Sequence, residues 1–130
     1  MIRDRRVAMA KRLVVFEQST TMQPTYLAPY CTAHGGAKSS IFHPESYSLW
    51  RVAAELDAGT ELHWTEAHGD EALYVLSGEL ELDGKKCGPE GVVILEAGVA
   101  ATVRALSSVR LLHFGPIEIE PPTTGLLGPP

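Results

Sequence analysis

The sequence predicts an all-β fold, a barrel or sandwich, built as one domain. Three observations carry this. From Tyr47 onward, short apolar segments are separated at close intervals by Gly, Pro, Asp and Ser. Glu79, Leu80, Glu81, Leu82 and Asp83 alternate strictly, as a half-buried strand does. Asp83-Gly84 then supplies a strong hairpin signal. Helical periodicity is almost absent, which leaves a barrel or sandwich as the architecture.

The elements follow in order. Residues 1–12 are expected to be mobile, and Leu13–Phe16 is a short strand candidate. Ser19 to Ser46 is rich in Thr, Pro, Gly and Ser and lacks sustained periodicity, so a long loop or arm is expected. Tyr26, Leu27, Tyr30, Ile41 and Phe42 give it apolar anchors. Loops of that length in compact domains are often functional or pinned to something. Strands are expected over Tyr47–Leu56, Glu61–Thr65, Ala72–Leu76, Glu79–Asp83, Val92–Leu95, Val99–Arg104 and Val109–Phe114. Turns fall at Asp57-Ala58-Gly59, Ser77-Gly78, Asp83-Gly84, Gly88–Gly91 and Glu96–Gly98. Pro121–Pro130 is a Pro/Gly tail that cannot join a sheet centre. The division is therefore 1–46 extension and arm, packed on the barrel or a partner subunit; 47–116 barrel; and 117–130 tail.

Composition narrows the function classes. One domain is the natural reading of 130 residues. A net charge of −5 argues against non-specific nucleic-acid binding, which needs a basic face. No apolar run approaches the roughly 20 residues of a membrane span. Basic residues precede only four apolar ones at Leu13–Phe16, too few for a secretory signal, so a cytoplasmic protein is expected. Met9 opens a second candidate start, making residues 1–8 a candidate extension. Cys31 and Cys87 lack metal-ligand spacing and read as plain thiols.

The stretch from Gly59 to Gly78 resembles the first motif of the cupin superfamily. That motif reads Gly, five residues, His-x-His, three or four residues, Glu, six residues, Gly. Gly59, Glu71 and Gly78 match it. Glu96-Ala97-Gly98 resembles the turn of the second motif, with its proline replaced. The resemblance covers about residues 47–116. It implies a cupin-like double-stranded β-helix, or jelly-roll barrel, carrying a long N-terminal arm, and it implies a homodimer. It also implies a metal held by the two motif His, the Glu and a second-motif His. Here those slots fall on Thr65 and Ala67, or on Trp64 and Glu66, and on Ala101, so only Glu71 remains. No metal is expected at the usual positions, and no cofactor is expected. A shifted site for Zn, Ni, Fe or Mn would have to draw on His63, His68, Glu71 and His113.

Parity places His63 with Thr65 and Ala67, pointing into the barrel. His68 lies in the turn before Glu71, and the facing of His113 is ambiguous. Without a cation, Glu71 needs a donor, or burial raises its pKa. A Glu beside a His in a cavity also suits general acid–base chemistry, making Glu71 the candidate catalytic residue. Trp50 and Trp64 are expected in the core or lining a cavity. The candidate ligand pocket comprises Trp64, Thr65, Ala67, Glu71, Val75, Ala101 and Val103. Either Tyr74 or Val75 faces in, and the parity of Glu71 favours Val75. Glu79, Glu81 and Asp83 read as a solvated face. His34-Gly35-Gly36 could form a lid, though an arm clasping a dimer is the expected use of that segment.

Three functions compete. The first is a small-molecule-binding barrel lacking the usual metal site. The second is a metal-dependent oxygenase, isomerase or lyase with a shifted site. The third is an interaction or regulatory module without catalysis. The expected partners are a small molecule and a second copy of the chain, with no nucleic acid and no membrane.

Overall fold

The computed structural model describes residues 13–16 and 21–116. The expectations for residues 1–12 and for the tail from 117 lie outside them. Ten strands form two antiparallel five-stranded sheets, with no helix among the described residues. No described helix is therefore long and apolar enough to cross a membrane.

The strands are β1 Cys31–His34, β2 Ala37–Phe42, β3 Leu49–Leu56, β4 Glu61–Trp64 and β5 Glu71–Ser77. After them come β6 Leu80–Leu82, β7 Lys85–Cys87, β8 Val92–Leu95, β9 Ala101–Ala105 and β10 Val109–Pro116. One sheet runs β2-β3-β10-β5-β8 and the other β1-β4-β9-β6-β7. Alternate residues of each strand face the space between the sheets, as the two-residue period of a strand requires. Val52, Leu56, Leu62, Leu73, Val75, Leu80, Val103 and Leu111 fill it.

The predicted hairpin is present, since Leu80 pairs Cys87 across Asp83-Gly84. Both turn residues have positive φ, 53° and 79°, the left-handed pair that a two-residue hairpin turn demands.

Two expectations are corrected. Leu13–Phe16 forms no strand. Phe16 instead packs edge-on against Phe42, with ring centroids 5.2 Å apart. Residues 31–42, read as loop, form β1 and β2, and these extend the two sheets beside β4 and β3. Their inward positions include Cys31, Ala33 and Ser39, small or polar groups that leave no apolar alternation to read.

Ser39 is buried because the arm uses it. Its backbone bridges Gln23, and its hydroxyl donates to Thr25 O at 2.6 Å while accepting from Leu27 N–H at 2.9 Å. These bonds pin residues 23–27 along β2 and lower Tyr26 into the core.

Candidate functional site

Glu71 opens β5 with its side chain buried between the sheets. Trp64, the last residue of β4 in the opposite sheet, donates its indole N–H to Glu71 Oε1 at 2.8 Å. His113 on β10 places Nε2 2.7 Å from the same oxygen. Its Nδ1 lies 2.8 Å from the Tyr26 hydroxyl. A carboxylate only accepts, so the neutral ring carries its proton on Nε2, and the phenol donates to Nδ1. The chain Tyr26–His113–Glu71–Trp64 thus ties the arm, one sheet and the other sheet together through a single carboxylate.

Aromatic rings enclose the imidazole. Trp50 and Trp64 lie edge-on to His113 at 5.0 and 5.6 Å, and the Tyr26 ring is tilted against it at 5.8 Å. Burial lowers the His113 pKa below its ordinary 6.5, outweighing the hydrogen bond and charge of Glu71, which pull it up. The Tyr26 phenol is held well above its usual value, first by burial and then by electrostatic contributions from Cys31 and Glu71. The Cys31 thiol is raised for the same reasons, burial first and Glu71 second. It is an inert buried thiol, not a nucleophile.

A pH dependence follows from His113. The unfolded chain takes up this proton near 6.5, and the folded chain only at lower pH. The unfolded state therefore binds more protons between those two values. Stability is full above the unfolded value and falls as pH drops from there through the lowered folded value. Melting temperatures between about pH 8 and pH 5 should fall less for His113→Gln, which cannot titrate, than for the native chain. Equal declines would refute a buried neutral His113.

His68 stands on the other side of Glu71. Its Nδ1 is 3.8 Å from Glu71 Oε2, beyond hydrogen-bond range. Nδ1 instead meets Gly69 O at 2.7 Å, and Nε2 meets Val99 O. Both ring nitrogens of His68 thus face backbone carbonyls. Gly98 N–H donates to His68 O, and Ala97 N–H to the Asp70 carboxylate. These bonds clasp the turn after β4 to the turn after β8. Glu71 Oε2 itself is buried with no hydrogen-bond partner.

The remaining predicted residues fall as follows. Val75 and Val103 are fully buried core residues, and Tyr74 is only half-buried, on the opposite parity. Ala101 packs at the core margin. Thr65 and Ala67 are exposed, because β4 ends at Trp64 and the chain leaves the sheet there. The parity assigned to β4 is also corrected. Leu62 and Trp64 point in, which puts His63 on the outer face. There His63 bonds Glu61 at 2.9 Å and lies tilted against the His34 ring, centroids 4.3 Å apart, on the face away from Glu71. His34 therefore caps no barrel mouth. Tyr26 was missed as a site residue, since only its aromatic character within a polar stretch marked it.

The donor set does not fit a metal ion. Both nitrogens of His113 and both of His68 are engaged, Trp64 offers only an N–H, and Ala101 offers nothing. Of the Glu71, His113 and His68 ligand atoms, Glu71 Oε2 is left without a hydrogen bond. Among the described residues no group of three or more His, Cys, Asp or Glu could hold a metal. The two N–H donors on Glu71 Oε1 occupy the role that a cation would have.

Two concavities lie near the network. A cavity of about 400 Å³ opens between residues 24–26 and the β1–β2 corner, with Tyr26 and Cys31 in its wall. Cys31 pairs with Trp64, so this cavity adjoins the Glu71 network. A wider groove of about 1000 Å³ touches Glu71 from the outer face of the other sheet. The Glu71 carboxylate is turned away from that groove, toward Trp64 and His113.

No protein-family profile and no curated protein matches this sequence. Solved structures do. A candidate acetylacetone dioxygenase from Methylibium petroleiphilum PM1 is 13% identical with a TM-score of 0.61, over 82% of this chain and 81% of that one. An acetylacetone dioxygenase from Acinetobacter johnsonii is 13% identical with a TM-score of 0.60, over 83% and 78%. The Cupin_2 domain of an XRE-family transcriptional regulator from Enterobacter cloacae is 22% identical with a TM-score of 0.53, over 60% and 93%. The chain has the cupin fold. At these identities the likeness extends to the fold alone.

Proposed function

We propose that this protein is a small-molecule-binding barrel without a metal centre, its polar focus being Glu71. The observation that carries the reading is Glu71 Oε2, a buried carboxylate oxygen with no hydrogen-bond partner. Such an atom carries a desolvation penalty that a bound N–H or O–H donor would offset. The expected ligand is a small molecule presenting one donor among aromatic surfaces, entering through the cavity beside Tyr26 and Cys31. Its volume of about 400 Å³ lies in the range of small-molecule sites.

The test is a thermal-shift screen of small alcohols, amides, acids and carbonyl compounds. A binder at ~100 times its Kd should add about 2.7 kcal/mol. Glu71→Gln should weaken it roughly tenfold or more, by losing a hydrogen bond to a charged acceptor. No stabilisation across the panel, or equal binding by the variant, would count against the reading. Stoichiometric Zn, Ni, Fe or Mn in protein purified without a tag, lost on Glu71→Ala, would restore the metal-dependent alternative.

The Tyr26–His113–Glu71 chain favours a second reading, proton transfer without a metal. Glu71 would exchange a proton with the ligand, and His113 and Tyr26 would hold its orientation. Mass spectrometry of any binder after incubation separates the two readings, since only an enzyme changes the compound.

A further inference from the structure

Two histidines meet on the outer face of the β1-β4-β9-β6-β7 sheet, away from the Glu71 network. Strand register sets His34, Glu61, Arg104, Glu81 and Lys86 in one row across its five strands. Thr32, His63 and Thr102 make the next row. His34 and His63 are therefore diagonal neighbours on adjacent strands, with ring planes inclined at 50° and centroids 4.3 Å apart. Glu61 Oε1 lies 2.9 Å from His63 Nε2. A carboxylate only accepts, so the neutral His63 ring carries its proton on Nε2 and keeps a lone pair on Nδ1. His34 is exposed and the His63 side chain is 41% exposed, so an ion reaches both without entering the barrel. The corner behind His34 is held firmly. Thr60 Oγ1 donates to Gly36 O at 3.0 Å, and Asp57 N–H donates to the same carbonyl at 2.9 Å. A Cβ on Gly35 would meet Thr60 Oγ1 at 2.7 Å, so the β1–β2 corner lies flush against the residue that opens into β4.

We propose that His34 and His63 chelate a divalent transition-metal ion on this outer face, with Glu61 orienting the His63 ring. Two imidazoles that share one ion at ~2.0–2.1 Å per nitrogen set their ring centroids about 4.5–5 Å apart. The observed 4.3 Å lies just inside that range, and rotation of two open side chains closes the difference. A carboxylate bonded to the far nitrogen of a ligating imidazole is the usual outer partner of such a ligand. It fixes the tautomer and raises the basicity of the nitrogen that binds. Charge permits a cation here. Arg104 faces Glu61 from β9, and Glu81 follows it in the row, so two carboxylates bracket the guanidinium. Imidazole nitrogen suits Cu, Ni and Zn, whereas Ca and Mg want oxygen ligands. Affinity should therefore be greatest for Cu²⁺, ahead of Ni²⁺ and Zn²⁺. With two protein ligands, water completes the coordination. That agrees with the lack, among the described residues, of any metal-holding group of three or more His, Cys, Asp or Glu.

Equilibrium dialysis of the full, untagged chain against Cu²⁺, Ni²⁺ and Zn²⁺ tests this, at about pH 7.5 because imidazole must be neutral to bind. About one equivalent of Cu²⁺ per chain is expected, held more tightly than the other two ions. Pulsed electron paramagnetic resonance of the Cu²⁺ form should show two coordinated imidazoles. His34→Ala and His63→Ala, both at open positions, should keep the native circular dichroism and each weaken binding at least tenfold. The double variant should be little weaker than either, since one imidazole alone makes no chelate. Glu61→Ala should weaken binding roughly tenfold while both imidazoles stay in the spectrum. His43, an exposed histidine outside this face, is the control, and His43→Ala should change nothing. Loss on His34→Ala also separates this ion from one held at Glu71. No binding at ~100 µM Cu²⁺, a single-imidazole spectrum, indifference to either histidine variant, or an equal loss on His43→Ala would overturn the proposal.

Discussion

Glu71→Ala should unfold at a much lower temperature than the native chain, while Glu71→Gln should stay close to it. Alanine strands two buried donors and removes a neighbouring charge at once. The Trp64 indole N–H and the His113 Nε2–H lose the oxygen they share, and His68 loses the carboxylate 3.8 Å away. Each unpartnered buried donor costs about 1–3 kcal/mol, and breaking a buried charged set costs about 3–5 kcal/mol in all. For a domain of this size that is roughly 15 °C or more in Tm. Glutamine keeps the shape and an oxygen that both donors can reach. Its NH₂ falls where Oε2 now lies without a hydrogen bond, so a loss of about 1 kcal/mol is expected. Thermal and urea denaturation of the two variants decide the matter. Equal losses would mean that Glu71 acts by charge alone and that the shared acceptor geometry is unimportant.

The same contrast shows where the sequence was legible. Glu71, the Asp83-Gly84 hairpin and most strands from β3 to β10 could be read from local spacing. Each is fixed by neighbours a few residues away. β1 and β2 could not, because their buried positions include Ser39 and Cys31, and burial there depends on the arm lying across them. The facing of β4 was misread by counting from motif slots. The alternation of Leu62 and Trp64 with Glu61 and His63 carried the answer and outweighed the slot count. His63, expected inside, is outside for that reason, and Trp64 supplies Glu71 with a donor.

The Tyr26–His113 bond joins residues 87 positions apart. No local pattern encodes such a contact. Tyr26 enters the core only because Ser39 holds residues 25 and 27, and His113 faces in only because β10 pairs in one register with β3 and β5. The polar centre is thus a product of topology, assembled from the arm, both sheets and a turn.

Gly78 and Gly59 were matched by the same sequence resemblance, and the structure separates them. Both have positive φ, 86° and 88°, so an alanine at either costs about 1–2 kcal/mol of backbone strain. At Gly59 nothing lies within 4 Å of the added Cβ. At Gly78 it would meet Ser108 O at 2.1 Å and Val109 Cα at 2.9 Å. Those are backbone atoms at the start of β10, and they cannot swing aside as a side-chain tip can. Relief must come from opening the β5–β6 corner or shifting the strand that carries His113. Gly78→Ala is therefore expected to cost about 2 kcal/mol or more beyond Gly59→Ala, the scale of overpacking in a tight interior. At about 3–5 °C per kcal/mol for a domain of this size, the two melting curves should stand roughly 8 °C apart. A shared shift would show that backbone conformation alone holds both glycines in place. A gap of the expected size would assign Gly78 to the close approach of two strands, and would tie the corner glycine physically to the placement of the histidine that faces Glu71.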